Sequence, residues 1–239
     1  MRDLLMLQEI LRDPLTLFFG LGFPLVLIFL LSAIQSNVPV ELFEIESLAP
    51  GVAVFGLAFM TLFSATLISR DRSSALLQRL YTTPLTAWDF IFGYTLPIIP
   101  LSVAQSLVCY IAALSLGLEL SINILYAVLL MIPLSVLYIA LGLLCGSLLN
   151  DKQVGGVCGA LLTNLSAWLS GVWFDLNLVG GTFKKIANVL PFYHAVEMEK
   201  ALVSGNFGEI AVHIFPIILY SIVIIALAVL CFLGQMKRQ

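Results

Sequence analysis

The chain has 239 residues, of which 61% are hydrophobic and only 10% are charged, whereas a soluble globular domain carries about 25% charged residues. This composition excludes a water-soluble domain of useful size and indicates an integral membrane protein. The formal net charge is −3, and the sequence shows no basic patch or stripe of the kind that binds nucleic acid, so we expect no nucleic-acid partner.

The apolar runs predict an all-α, polytopic membrane protein, because each helical crossing needs about 20 mostly apolar residues. We predict one transmembrane domain over 1–239 with six transmembrane helices. Its parts are an interfacial helix at 1–13, crossings at 14–34, 50–69, 87–116, 122–149, 154–173 and 211–233, a coupling helix at 70–86 and an extracellular or re-entrant segment at 174–210.

The N-terminal segment is amphipathic. Leu4, Leu7 and Leu11 recur at helical spacing among charged residues, which is typical of a helix that lies in the membrane interface. Asp13-Pro14 ends this helix, and the first crossing follows.

The segment 70–86 is a compact, charged and amphipathic stretch between two apolar runs. It predicts a short helix that Ser73 or Ser74 caps and Thr83-Pro84 stops. Its apolar face consists of Leu76, Leu77, Leu80 and Tyr81. Composition alone also allows a simpler role, in which a basic interfacial helix only fixes the topology.

Proline and glycine mark two further features of the crossings. Pro97 and Pro100 predict a break in the third crossing, since proline cannot continue a helix. The pairs Gly142-x-x-x-Gly146 and Gly155-x-x-x-Gly159 predict close packing of the fourth and fifth crossings.

The distribution of basic residues predicts that both termini are cytosolic, because cytoplasmic loops are enriched in Lys and Arg. With six crossings, both termini lie on the same side as the segments 70–86 and 150–153. That side holds 8 of the 11 basic residues, namely Arg2, Arg12, Arg70, Arg72, Arg79, Lys152, Lys237 and Arg238.

Two helix faces are candidates for a substrate path. Phe55, Phe59 and Phe63 recur every fourth residue and form an aromatic stripe on the second crossing, and Asn164 and Trp168 share a face of the fifth. Packing between helices explains both patterns equally well, because aromatic stripes are common and an intramembrane amide normally seeks a partner on another helix.

His194 and Glu197, three residues apart, could face together as metal ligands or as an acid/base pair. The sequence places no third ligand beside them, so we expect no metal site. We interpret them as part of a segment that caps the extracellular mouth. The four cysteines show no paired spacing of the kind found in metal sites.

Three stretches resemble the permeases of ABC-2 type transporters. They are LRDPLTLFFGLGFP from Leu11 to Pro24, SRDRSSALLQRLYTTPLTAWDFIFGY from Ser69 to Tyr94, and LPFYHAVEMEKALVSG from Leu190 to Gly205. In the second stretch Asp71 stands where glutamate is usual, and Gln78 where a carboxylate is usual. The resemblance extends over the chain in length and order of elements.

The resemblance implies a permease subunit that docks on a separate ATPase subunit, which would bind ATP and Mg. It also implies that the second and fifth crossings line the substrate path. No G-x-x-x-x-G-K-[ST] phosphate loop occurs in the sequence, so we expect no cofactor in this chain. The expected ATPase interface comprises Arg70, Asp71, Arg72, Leu76, Leu77, Gln78, Arg79, Leu80 and Tyr81.

The sequence therefore favours an exporter of drug-like, lipidic or peptide amphiphiles, in which two permease copies or homologues pair with two ATPase subunits in a cell membrane. An exporter of polysaccharides or glycoconjugates is the nearest alternative. An intramembrane enzyme that uses His194 with Glu197 or Glu199, and an accessory protein without transport, are the alternatives from other classes.

Overall fold

The computed structural model describes residues 18–38, 41–73 and 87–236. In this part of the chain every regular element is a helix and no strand occurs. The all-α prediction is thereby confirmed. The predicted interfacial helix at 1–13 and most of the coupling helix at 70–86 lie outside the described residues.

The first half of the chain forms long helices. A π-helical turn, Phe18–Gly22, leads into the first of them, and a short 3-10 turn, Glu41–Phe43, precedes the second. The helices are α1 (Phe23–Asn37), α2 (Ile45–Ser73), α3 (Ala87–Thr95), α4 (Ile99–Ser115) and α5 (Ile122–Leu148).

The third crossing is broken, as the prolines predict. Helix α3 ends at Thr95, and α4 begins at Ile99 with Pro100 in its first turn. Proline suits this position because the first amides of a helix have no intrahelical acceptor.

The second half contains one long terminal helix and several short ones. A π-helical stretch, Gly155–Leu162, joins two of the short helices into one continuous rod. The helices are α6 (Asp151–Val154), α7 (Thr163–Ser170), α8 (Leu176–Val179), α9 (Gly181–Val189), α10 (Pro191–Ser204) and α11 (Phe207–Met236).

Five segments of the described chain are long and apolar enough to cross a membrane: Phe18–Asn37, Ile45–Arg72, Ile91–Ser115, Ile122–Leu148 and Phe207–Gly234. The rod α6–α7, where the sequence predicts the fifth of six crossings, is not among them. Polar residues such as Asn164, Ser166 and Ser170 lower its apolar content. A sixth crossing therefore remains a prediction.

Helix α2 is the centre of the bundle: 83% of its most apolar window is buried, against 22% for Phe18–Asn37 and 28% for α11. It packs most closely on α5. Thr61 Oγ1 donates a hydrogen bond to the carbonyl of Tyr138 at 2.8 Å, and Ser64 Oγ lies 3.3 Å from the carbonyl of Ile139.

Glycine makes this close approach possible. A Cβ added to Gly142 would lie 1.7 Å from Ser64 Oγ and 2.5 Å from the carbonyl oxygen of Thr61, and one added to Gly146 would lie 2.7 Å from the carbonyl oxygen of Ala65. The first predicted glycine pair is thus a packing device between α2 and α5. The second differs, because a Cβ on Gly155 would meet open space.

Helix α10 sinks into the bundle at the end opposite to Arg70–Arg72. Its residues Ala195, Val196, Met198 and Glu199 are fully buried. Gly205, in a left-handed conformation with φ 78°, turns the chain from α10 into α11.

Candidate functional site

The charged cluster, which we define as Arg70, Asp71 and Arg72, occupies the last turns of α2. The sequence predicts that a separate coupling helix begins here and that Ser73 can cap it. Instead, Arg70–Ser73 continue the second crossing as one helix, and the predicted cap at Ser73 or Ser74 stays a prediction because residues 74–86 lie outside the described ones. Whatever moves the chain after Ser73 therefore acts directly on the end of the central helix.

Arg72 caps the neighbouring helix α5. Its Nη2 donates to the carbonyl of Leu149 at 2.7 Å, and its Nη1 donates to the carbonyl of Ser147. The last carbonyls of a helix have no intrahelical donor, and they carry the negative end of the helix dipole. The guanidinium of Arg72, expected at the ATPase interface, thus has internal partners that hold α2 to α5.

The other two residues of the cluster reach two further helices. Asp71 Oδ2 accepts a hydrogen bond of 2.7 Å from the hydroxyl of Tyr94 in α3. Arg70 lies 3.8 Å from the carboxylate of Asp151 at the start of α6, and both side chains are more than half exposed. Three consecutive residues of α2 are therefore linked to three different helices.

The remaining predicted interface residues lie outside the described residues. They are Leu76, Leu77, Gln78, Arg79, Leu80 and Tyr81. Their part in ATPase docking stays a prediction.

The aromatic stripe of the second crossing is buried within the chain. Phe55, Phe59 and Phe63 are 6–7% exposed. Phe59 stacks on Phe19 with ring centroids 5.8 Å apart, and Phe55 meets the ring of Trp173 edge-on at 5.4 Å. The first crossing thus covers much of this stripe, as expected of a packing surface.

Asn164 and Trp168 lie on the outer surface of α7. Asn164 is exposed, its Nδ2 donates to the carbonyl of Ala160 in the same rod at 2.8 Å, and Trp168 is 49% exposed. The amide therefore finds its partner within its own helix. The structure does not bring this pair together with the phenylalanine stripe.

His194 and Glu197 have separate partners. His194 Nδ1 lies 2.9 Å from Nδ1 of His213, and its Nε2 lies 2.9 Å from the carbonyl of Asn188. Glu197 forms a salt bridge of 3.1 Å with Lys200. Both ring nitrogens of His194 are thus engaged, and the geometry does not assemble an acid/base pair of His194 and Glu197.

Glu199 carries the deepest carboxyl group of α10. It is fully buried, and its Oε2 accepts a hydrogen bond of 2.9 Å from the hydroxyl of Tyr110 in α4. Its Oε1 has no hydrogen-bond partner among the described residues. Burial raises the pKa of Glu199 to about 8, although the bond from Tyr110 lowers it, so the carboxyl is mostly protonated at neutral pH.

A polar cavity of about 220 Å³ lies beside α10. Its charged lining residues are Asp175, Lys184, Glu197 and Lys200, so the positive and negative charges balance. Within the described ranges no group of three or more His, Cys, Asp or Glu side chains could hold a metal ion.

The sequence predicted several residues of the site but not the residues that they bind. Three of these partners are far in sequence from the groups that they bind, so no local spacing of residues predicts them. They are Tyr94, Asp151 and Tyr110. His213 could have been found, since it is one of only two histidines in the chain.

Comparison with known proteins identifies the family. The family described as ABC-2 type transporter matches residues 5–204. No match is found among curated proteins. The family match covers most of the chain, and it agrees with the resemblance of the three sequence stretches and with the apolar helices. The chain therefore belongs to the ABC-2 type transporter family, as an integral membrane permease component of an ABC transporter.

Proposed function

We propose that this permease exports drug-like, lipidic or peptide amphiphiles, driven by a separate ATPase subunit that docks on the segment 70–86. Permeases of this family generally partner with an ABC ATPase. The observation that carries the proposal is the charged cluster, which links the start of that segment to α3, α5 and α6. ATP and Mg bind to the ATPase partner.

The proposed coupling follows from the rigidity of these links. A push on segment 70–86 displaces the end of α2, and the contacts of Asp71 and Arg72 transmit that displacement to α3 and α5. Packed helices respond as units because interiors are close-packed and bistable. With the charged end in the cytosol, as the basic residues predict, the force enters from the side where ATP is available.

The apolar character of the bundle supports an amphiphilic substrate. The break in the third crossing opens a groove of about 510 Å³ between α3, α4, α5 and α11. Its lining is apolar except for Thr95, so it suits an acyl chain or an apolar drug and offers no fixed charge to a small ion.

The exposed amide of Asn164 on α7 supports pairing with a second permease copy or homologue. An amide such as Asn164 is costly against lipid, and intramembrane polar residues usually face a protein interior or a water-filled path. We place the substrate path along this face, beside Trp168, where two permeases meet.

The substrate is tested by purifying the permease with its ATPase partner in lipid nanodiscs and measuring ATP hydrolysis with a compound series. We expect amphiphiles to stimulate hydrolysis severalfold and soluble oligosaccharides to leave it unchanged. Stimulation by saccharides alone would favour the glycoconjugate exporter, and a rate that no compound alters would contradict the transport proposal.

Docking is tested with Leu77→Asp, which places a charge on the predicted apolar face of segment 70–86. We expect the ATPase subunit to be lost on co-purification while the permease keeps its thermal unfolding temperature. Thr82→Ser in the same segment is the control and should retain the ATPase. Arg72→Glu is unsuitable here, because it would place a carboxylate against the carbonyls of α5.

A further inference from the structure

The groove between α3, α4, α5 and α11 lies within the membrane-crossing part of the bundle. Its volume is about 510 Å³, and each of its walls belongs to a segment that is long and apolar enough to cross a membrane. Thr95 is the one polar side chain among the described residues that line it. The groove is therefore a hollow in the hydrocarbon region and not a path for water.

The groove lies in the half of the membrane next to the charged cluster. Its α3 wall extends on both sides of Tyr94, whose hydroxyl donates to Asp71 in that cluster. On α5 its lining reaches Leu143, and this helix ends soon afterwards at Leu148, beside the carbonyls that Arg72 binds. A lipid that enters the groove therefore comes from the leaflet on the side of the charged cluster.

The groove is elongated along the helices. On α5 its lining residues Val136, Ala140 and Leu143 recur at i, i+4 and i+7, so they share one helix face. At about 1.5 Å per residue this stripe is about 10 Å long, which is most of the roughly 15 Å of hydrocarbon in one leaflet. Ile222 and Ala226, one turn apart, continue the lining along α11. The hollow thus has the shape of an extended acyl chain.

The groove opens sideways towards the bilayer. Phe92 and Leu96 on one wall and Ile222 on the opposite wall are each at least half exposed. Ala140 lies buried at the floor between them. Leu96 belongs to the break between α3 and α4, where the chain leaves the helical path. An acyl chain can therefore enter from the surrounding lipid without leaving the hydrocarbon region.

An empty hollow of this size is unfavourable in a membrane. Wall atoms that face a void lose the dispersion contacts that close packing gives them. Water does not fill an apolar hollow, and the bilayer core holds no water to supply. The hydrocarbon chains of the bilayer are the groups available at this depth to restore those contacts.

We propose that the groove holds one acyl chain of a phospholipid from the leaflet next to the charged cluster. The chain packs between Phe92 and Leu96 on one side and Ile222 and Ala226 on the other, and it fastens α3 to α11. The lipid thereby joins the terminal crossing to the helix that Asp71 links to α2. This site is independent of the proposed transport function, although a substrate that enters the groove has to displace the lipid.

The test uses the full chain in nanodiscs that contain a small fraction of phospholipid with a photoactivatable diazirine in its acyl chain. Irradiation attaches the lipid, and mass spectrometry locates it. We expect labelling of segments 91–99 and 222–226 to exceed that of Ile111, an exposed residue of α4 outside the groove, by about tenfold, the factor that about two buried methylene groups produce. Labelling of Ile111 as strong as that of the groove would overturn the proposal.

A matched pair of variants separates the groove from the rest of the lipid-facing surface. Ala226→Phe fills the groove from an exposed position, so the protein should fold and labelling of segment 91–99 should fall about tenfold. Ile111→Phe adds a ring at an exposed position outside the groove and should leave that labelling unchanged. Unchanged labelling in Ala226→Phe, or an equal loss in Ile111→Phe, would contradict the proposal.

A drug-like amphiphile with the same photoactivatable group distinguishes a lipid site from a substrate site. We expect the phospholipid to label the groove when neither the ATPase nor any added substrate is present. Labelling of the groove by the drug-like probe but not by the phospholipid would assign the groove to the substrate and overturn the proposal.

Discussion

The two ends of the helical bundle are held together in different ways. At the charged end, three consecutive residues of one helix, Arg70, Asp71 and Arg72, reach three other helices. At the opposite end, α10 is held by separate pairs, Glu199 with Tyr110 and His194 with His213.

The difference has a mechanical meaning. The hydrogen bonds of Asp71 and Arg72 tie the end of α2 to α3 and α5, so these three helix ends should move as one unit. The polar contacts of α10 are two separate pairs, and one of them contains a buried carboxyl group whose protonation depends on pH. The charged end is suited to receiving a force, and the opposite end is suited to yielding to it.

Gly142→Ala should lower stability more than the other variants, because both ends of the bundle depend on the close packing of α2 against α5. The added Cβ would lie 2.5 Å from the carbonyl oxygen of Thr61, a backbone atom that cannot turn away. We expect a loss of about 3 kcal/mol in stability, measured by unfolding in detergent. Gly155→Ala, which meets open space, should leave stability unchanged or raise it by up to about 1 kcal/mol.

Glu199→Gln should remove a dependence of stability on pH that arises only at the end of the bundle that contains α10. The pKa of Glu199 rises from an ordinary value of 4.5 to about 8 on folding, so the unfolded chain loses its proton first as pH rises. Stability should therefore fall between about pH 4.5 and pH 8. The variant should lack this fall and be more stable than wild type by about 3 kcal/mol at pH 7, because about 1.4 kcal/mol is lost for each pH unit above 4.5.

A pH series of unfolding measurements checks this expectation. The exposed Glu119→Gln is the control and should keep the wild-type dependence on pH. Parallel curves for wild type and Glu199→Gln would show that the buried carboxyl does not set the stability of this end.

Tyr94→Phe should have a smaller effect, since it removes one hydrogen bond to Asp71 and keeps the ring. We expect a loss of about 1–2 kcal/mol in stability. The variant should retain the ATPase subunit but lower ATP-driven transport, because α3 no longer follows α2. Unchanged transport would show that this link does not carry the coupling.

Arg70→Ala should have the smallest effect. Its carboxylate partner Asp151 lies 3.8 Å away and both side chains are more than half exposed. Such surface pairs contribute about 0–1 kcal/mol and are screened by salt. A loss of 2 kcal/mol or more on thermal unfolding would contradict the distinction between Arg70 and Arg72.

Sequence patterns predicted the features that depend on local chemistry. The apolar runs predicted the long helices, Pro97 and Pro100 predicted the break in the third crossing, and Gly142 and Gly146 predicted a close helix contact. Each of these follows from what one residue type does to its own helix.

The features that depend on distant partners could not be predicted in this way. The charge of Arg72 suggested a binding surface, whereas its partners are backbone carbonyls about 75 residues away, which no sequence pattern marks. Glu197 and Glu199 lie two residues apart in α10, yet Glu199 is fully buried and Glu197 forms a salt bridge with Lys200. Only the packing of α10 in the bundle distinguishes these two carboxyl groups.

The central claim is that Arg72 holds the bundle together while the residues after Ser73 dock the ATPase. The most direct test compares Arg72→Ala with Leu77→Asp in two assays, thermal unfolding of the permease alone and co-purification of the ATPase. We predict that Arg72→Ala lowers stability by about 2 kcal/mol, and that Leu77→Asp leaves stability unchanged and loses the ATPase. An Arg72→Ala permease of full stability that no longer binds the ATPase would contradict the account.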